Sequence, residues 1–384
     1  MAEVKGLTGL RPSIEKAPSL TSPPYDVIKE GSPLEALLKK NTESLYHIIL
    51  GSAPKETLDN FVSSGLLQKD SEPCFYVYEQ NYAGGQRIGV FVAVKVDDYS
   101  EGNVIRHEKT FDSKVQGRIA LAKVTEHTIG PIFLLTASPL QQIFDGIRSS
   151  QKPEYDFKTD LDGNSDLDGI SSRIFRVTEE SPEGQLLIQA MGENPLYIAD
   201  GHHRYHAALK NEQTHTLAYI VQDAKIQAYN RVIKTKIAFA DVMDKLNLQP
   251  VDSFHTPPKN SFCIYSQGKS YILKASEVPL DVVGKLDCSI LEKELYPHLE
   301  VTHDMILDQA YFDYYAESEL DTMKAQVDSG KYDIAVALHP VSIEELMDVA
   351  NAGLKDSEIV MPEKSTFFSP KILSGLFLYR HEFK

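Results

Sequence analysis

The sequence has no apolar run approaching the ~20 residues that cross a bilayer, and its opening Met1-Ala2-Glu3-Val4-Lys5-Gly6 lacks the apolar centre of a signal peptide. Cysteine is scarce. Cys74, Cys263 and Cys288 are scattered, fit no metal-binding spacing, and are odd in number, which suits a reducing compartment and three small buried side chains. Positive charge is also short. The formal net charge of −16 argues against non-specific nucleic-acid binding, which needs a basic face, while leaving room for a local basic pocket. No internal repeat or long low-complexity tract interrupts the chain. A cytoplasmic protein without membrane or nucleic-acid partners is the expectation, with a homo-oligomer left open. What is present is a globular composition, 42% hydrophobic and 24% charged. The 384 residues exceed one ordinary core, which predicts two domains or one enlarged domain.

Patterning along the chain predicts a mixed α/β fold. Residues 74–80 and 87–96 read as strands joined across Ala83-Gly84-Gly85, a hairpin signature. Buried strands are expected at 130–135, 195–199 and 216–222, with a helix at 113–126. Residues 45–50 read as a strand, 152–171 as a polar surface loop, 239–246 as a helix and 372–379 as a last apolar strand. Three segments are expected: 1–98 with the antiparallel hairpin, 99–225 as the core, and 226–384 as an α/β addition.

The most informative stretch is Pro195-Leu196-Tyr197-Ile198-Ala199-Asp200-Gly201-His202-His203-Arg204-Tyr205. An apolar strand ends on a carboxylate, turns at glycine and enters a helix predicted from His206-Ala207-Ala208-Leu209-Lys210. The first amides of a helix lack internal partners and favour an anion; glycine admits close approach, and arginine offers a planar fork for phosphate. A plain capped turn with solvated histidines accounts for the same residues. His202 and His206 have the i, i+4 spacing of a helical zinc pair, but the glutamate of a zinc-peptidase helix is absent.

Three further stretches carry candidate groups. Ser22-Pro23-Pro24-Tyr25-Asp26 is a rigid ribbon able to present Tyr25 and Asp26 to a substrate. Ile105-Arg106-His107-Glu108-Lys109-Thr110 places His107 and Glu108 after a strand, where open α/β sites take their chemistry, and Arg118 lies on the following helix. Lys364, Ser365 and Thr366, with Lys371 beyond them, form a possible second anion-binding edge in a loop with two prolines. Asp160, Asp162, Asp166 and Asp168 faintly resemble a calcium loop, without its glycine and terminal glutamate in place.

Pro23-Pro24-Tyr25-Asp26-Val27-Ile28, His107-Glu108-Lys109-Thr110, Pro131-Ile132-Phe133-Leu134-Leu135, Ala199-Asp200-Gly201-His202-His203-Arg204-Tyr205 and Met361-Pro362-Glu363-Lys364-Ser365-Thr366-Phe367-Phe368 recur in that order. In this the chain resembles the bacterial and archaeal family called domain of unknown function 1015, over nearly its whole length. The order histidine-glutamate, helix, apolar strand, Asp-Gly-His-His-Arg is also similar, more distantly, to free-serine kinases of the ParB/sulfiredoxin-like fold. That resemblance implies a ParB/sulfiredoxin-like core with large N- and C-terminal additions. It implies phosphate transfer from ATP or ADP to a small hydroxyl metabolite such as L-serine. Asp200, Gly201, His202, His203 and Arg204 would hold the nucleotide phosphates and Glu108 would be the base. The chain departs from the compact kinases in its additions and in an insertion, roughly 138–194.

Phosphoryl transfer needs charge neutralisation and positioning more than a covalent nucleophile, so the residues themselves are compatible with that chemistry. Glu108 and Asp200 are the catalytic candidates. Gly201, His202, His203, Arg204, Arg118, Lys364, Ser365 and Thr366 are the phosphate candidates, and Tyr25, Asp26 and His107 the substrate candidates. Magnesium is expected, with Asp200 or Asp26 as its ligand. A ParB-like nucleotide-binding regulator and a phosphate-ester hydrolase use nearly the same residues and stand as alternatives.

Overall fold

The computed structural model describes residues 1–110, 112–362 and 364–383, so Glu363 of the last motif lies outside the described residues. At 33% helix and 27% strand the protein is mixed α/β. The chain divides into two compact units: Met1–Ala224 together with the C-terminal segment from Pro370, and Lys225–Ser369.

The first unit is built on one large mixed sheet. Its strands run in the order Val104–Ile105, Leu196–Asp200, Ile132–Thr136, His215–Val221, Gly85–Lys95, Cys74–Tyr82, Ser171–Thr178 and Tyr155–Lys158, with Val4–Lys5 also paired to Gly85–Lys95. Leu196–Asp200 is parallel to Val104–Ile105 and antiparallel to Ile132–Thr136, which is itself parallel to His215–Val221. Strands from both sides of residue 98 share this sheet, so residues 1–98 and 99–225 belong to one unit. The central strands are buried on both faces, which is why they read as continuous apolar runs rather than alternations. The inserted residues after Ser138 extend the sheet with Tyr155–Lys158 and Ser171–Thr178 and add helices Gln141–Ser150 and Pro182–Gly192.

The second unit carries a six-stranded antiparallel sheet in the order Leu248–Val251, Lys269–Lys274, Ser261–Ser266, Ile334–Leu338, Tyr229–Ile233 and Phe312–Ala316. Its core includes Val232, Cys263, Tyr265, Met323 and Tyr332.

Four local expectations are corrected. Residues 45–50 form a short helix, Tyr46–Ile49, whose Tyr46 and Ile48 are buried against the preceding helices. The 152–171 segment is not all loop: Tyr155–Lys158 pairs with the start of Ser171–Thr178, anchored by the buried Tyr155, whose hydroxyl donates to Pro12 O at 2.6 Å. Residues 239–246 make two short 3₁₀ turns, Phe239–Asp241 and Met243–Lys245, since so short a segment gains little helical cooperativity. Residues 372–378 form a buried strap rather than a strand. Gly375 sits at φ +90°, which breaks the extended run; isolated bridges Ser22–Ser374 and Leu10–Leu378 flank it, and only the last residue of the expected strand, Tyr379, enters a two-residue strand, Tyr379–Arg380, paired with His127–Thr128. Among the described residues no helix is long and apolar enough to cross a membrane.

The strap is held by aromatic packing. Phe377, 2% exposed, stacks on Tyr76 at 4.2 Å between centroids and meets Phe91 at 4.9 Å. Phe377→Ala is expected to cost about 3–5 kcal/mol in urea unfolding, as for other buried aromatic truncations; a loss below about 1 kcal/mol would show that the strap is not part of the core.

Candidate functional site

The site follows from the parallel register of two short strands. Leu196 pairs with Val104 and Tyr197 with Ile105. Both chains leave the sheet in the same direction, so the loop of Arg106, His107 and Glu108 emerges beside the turn of Asp200 and Gly201. Gly201 has φ +97°, a conformation side chains resist, and begins the helix His202–Lys210. A Cβ there would sit 3.0 Å from Arg204 Nε, so the glycine also makes room for the guanidinium folded back over the turn.

Cations surround Asp200. Lys371 Nζ lies 2.8 Å from Oδ2 and Arg204 Nη2 3.5 Å from Oδ1. Burial alone would raise the Asp200 pKa, but Lys371 and Arg204 together hold it well below the usual carboxylate range. Arg204 also donates through Nη1 to the carbonyl of Pro131. Lys371 itself is fixed through its backbone: its amide donates to Asp166 Oδ2 at 3.1 Å, and its carbonyl accepts from Gln80 Nε2 at 3.2 Å. The buried Arg87 donates to Gln80 Oε1 and to the carbonyl of Pro370.

Beside Arg204 opens a narrow cleft, lined by Tyr25, Arg118, Leu121, Gly130, Arg204 and Ser374 among others. The helix Asp112–Thr125 brings Arg118 here by packing Val115 and Ile119 against Ala207. The Arg118 guanidinium lies over the Tyr25 ring, 3.8 Å from its centroid. Burial lowers the Arg118 pKa, Tyr25 opposes this, and Arg204 lowers it further. Burial and the neighbouring Asp26 raise the Tyr25 hydroxyl, against the pull of the two arginines. Tyr25 owes its position to Pro24, the extended residue before the 3₁₀ turn Tyr25–Val27, and to the two backbone hydrogen bonds between Ser22 and Ser374.

Near Asp200 there are also two imidazoles and a carboxylate. His107 is fully buried and His202 is 3% exposed. Their rings meet edge to face at 4.5 Å, and the His107 amide donates to His202 Nε2 at 3.4 Å. Glu108, a quarter exposed, has Oε1 3.9 Å from His107 Nε2 and Oε2 3.6 Å from His202 Nδ1. Burial lowers the His107 pKa to about 4, against the opposing effects of the Ile198 backbone and Asp200. Burial pushes His202 well below its ordinary value, reinforced by His107 and opposed by Asp200.

Tyr25, Arg118, Asp200, Gly201 and Arg204 are thus gathered at one turn, with His107, Glu108 and His202 behind it. His203 is half-buried on the same helix, and Asp26 is exposed on its 3₁₀ turn. Lys364, Ser365 and Thr366 belong to the second unit. There Lys364 Nζ lies 5.3 Å from the Tyr229 ring centroid, and the buried Ser365 hydroxyl donates to Pro362 O at 2.6 Å. His206 stacks on Tyr99 while His202 turns inward, so the i, i+4 pair is not a zinc site. Of the acids of 160–168, Asp168 braces its own turn by accepting from the amides of Leu161 and Gly163, and Asp166 accepts from the Lys371 amide. Among the described residues no group of three or more His, Cys, Asp or Glu side chains could hold a metal. Asp200, engaged by two cations, does not fit as a magnesium ligand. Lys371, although noted in sequence as a possible closing lysine, lacked any signal tying it to Asp200. The clamp made by Arg87 and Gln80 left none at all, because nothing in a strand's own pattern marks which distant backbone it holds.

Keeping His107 and His202 neutral has a consequence for stability. Their folded pKa values lie below that of the unfolded chain, about 6.5. The stabilisation is complete above that value and is lost as pH falls toward about 4, the value for His107, because the unfolded chain then binds more protons. Denaturant unfolding from pH 7.5 to 4 should show stability falling across this window. His107→Leu should flatten the slope there, and an unchanged slope would contradict a buried neutral His107.

The model of a family described as "Protein of unknown function (DUF1015)" matches residues 4–289. No curated protein matches the sequence. Among solved structures, the chain is similar to a free serine kinase variant in complex with ADP, at 14% identity and TM-score 0.39, over 75% of this chain and 92% of that one. It is similar to a conserved hypothetical protein from Pyrococcus furiosus at 14% identity and TM-score 0.37, over 75% and 95%. A C-terminally truncated SbnI from Staphylococcus aureus matches at 9% identity and TM-score 0.39, over 74% and 85%. With the family model spanning well over half of its length, this chain belongs to the DUF1015 family.

Proposed function

We propose that this protein is a nucleotide-dependent phosphotransferase that phosphorylates the hydroxyl of a small metabolite, with ATP or ADP as donor and L-serine as the first acceptor to test. One observation carries the proposal. Two arginines, Arg118 and Arg204, line one partly apolar cleft beside a glycine turn, and among the described residues no carboxylate lies within ion-pair distance of Arg118. Two like charges held close in a half-buried cleft raise each other's energy, and a bound phosphate relieves that cost. The aliphatic side chains of Leu121 and Ala122 give the same cleft an apolar wall suited to an organic ligand.

In this account Arg204 and Arg118 neutralise the phosphates. Asp200 and Lys371 keep Arg204 in place, so that its fork is oriented before the ligand arrives. Glu108 accepts the acceptor's hydroxyl proton as the new P–O bond forms, and the bond from phosphorus to the donor's bridging oxygen breaks, leaving the shortened nucleotide. Tyr25 borders the cleft as a substrate contact. The ParB/sulfiredoxin-like core implied by the sequence motifs is part of the same proposal.

The test is a mass-spectrometric assay of the purified protein with magnesium, ATP or ADP, and a pool of hydroxyl metabolites that includes L-serine. A new phosphorylated metabolite is expected, absent with Glu108→Gln while ADP affinity stays within about twofold. Arg118→Met should weaken ADP by about tenfold or more, the loss of roughly 1.4 kcal/mol. Phosphate released without any acceptor would make the protein a hydrolase. Saturable nucleotide binding with no product would make it a regulator.

A further inference from the structure

The two adjacent histidines of the turn occupy different environments. His203 is half-buried on the helix, whereas His202 is 3% exposed and packs edge to face on His107. His202 is not among the residues lining the cleft that holds Arg118 and Arg204. One of its nitrogens is already assigned. The His107 amide points at Nε2, which must therefore offer a lone pair, so the ring hydrogen resides on Nδ1. That Nδ1 faces Glu108 Oε2 at 3.6 Å, while the other Glu108 oxygen faces His107 at 3.9 Å. Catalytic contacts of this kind are commonly long before a ligand binds.

We infer that His202 is a positioning residue for Glu108, presenting Nδ1–H to one carboxylate oxygen, and is not a phosphate ligand. The inference rests on the proposed role of Glu108 as base and refines it. It also reverses the assignment of His202 implied by the sequence resemblance. The groups facing His202 are consistent with a neutral ring. Burial disfavours the imidazolium, His107, which lies edge-on against the ring, His203 and Arg106 disfavour it further, and the carboxylates of Asp200 and the facing Glu108 oppose them. A neutral donor orients Glu108 without neutralising it, so the carboxylate keeps the charge with which it takes a proton.

The wild-type protein gives the first measurement. Long-range ¹H–¹⁵N spectra of histidine-labelled protein at pH 7 should show His202 as the neutral Nδ1–H tautomer, unchanged on adding ADP. An imidazolium, the Nε2–H tautomer, or protonation on adding ADP would overturn the inference. The second measurement needs no nucleotide. The Glu108 carboxyl carbon, followed by ¹³C NMR, should titrate at higher pH in His202→Phe, which removes the donor. It should return toward the wild-type midpoint in His202→Asn, whose amide can replace Nδ1–H; an unmoved midpoint in His202→Phe would refute the contact. Third, ADP affinity should stay within about twofold in both variants while Arg204→Met loses about tenfold. Loss of ADP binding in His202→Phe equal to that in Arg204→Met would make His202 a phosphate ligand after all. If wild-type protein binds no ADP, the phosphotransferase proposal fails on its own, and the tautomer and carboxyl titration still decide the role of His202.

Discussion

Asp200 carries a negative charge into a position where only about a fifth of its side chain meets water, and two cations hold it there. One, Arg204, comes from the next turn of the same chain; the other, Lys371, comes from 171 residues later. A half-buried carboxylate left without partners would have its pKa pushed up until it lost its charge, so this cluster constrains much of the first unit. It requires the glycine turn that lets Arg204 fold back. It also requires the C-terminal strap, which leaves the second unit at Pro370 and is clamped at once by Arg87, Gln80 and Asp166. The aromatic seat of Phe377 and the bridges to Ser22 and Leu10 then hold the strap against the sheet and the Pro23-Pro24-Tyr25 ribbon.

Two chemical environments adjoin Asp200. In one, Arg204, Arg118 and the Tyr25 ring form a positive, partly apolar cleft. In the other, two neutral imidazoles, His107 and His202, face the two oxygens of the Glu108 carboxylate. Phosphoryl transfer needs this division: cations where the phosphates lie, and a carboxylate where a hydroxyl gives up its proton. Burial divides the labour as well. It keeps His107 and His202 uncharged, while Arg118 lines the cleft as a cation beside Arg204, which is itself paired with Asp200.

The strand–turn–helix around Asp200 was legible in the sequence because its signals are local: an apolar run, a glycine that must adopt positive φ, and alanine-rich helix beyond. The hairpin at Ala83-Gly84-Gly85 and the helix carrying Arg118 were legible for the same reason. Residues 372–378 are a strap where a strand was expected because a buried strap and a buried strand are equally apolar; Gly375 marks the difference only once its φ is known. Residues 45–50 were misread because β-branched and aromatic residues in a short apolar run favour a strand locally, and tertiary packing made them a helical turn. Within the site, the sequence could propose that His107, Glu108, Asp200 and Arg204 act together, yet not how they divide. That division follows from the parallel register of Val104–Ile105 with Leu196–Asp200, which places His107 behind the turn rather than in the cleft.

The most direct test of the central claim is a crystal structure of the protein grown with ADP. The account predicts the diphosphate in the cleft beside Gly201, with its oxygens within hydrogen-bond distance of both Arg204 and Arg118, and with His202 still turned toward Glu108. Diphosphate bound elsewhere, or in contact with His202 while Arg118 stays against Tyr25 without touching it, would contradict the account.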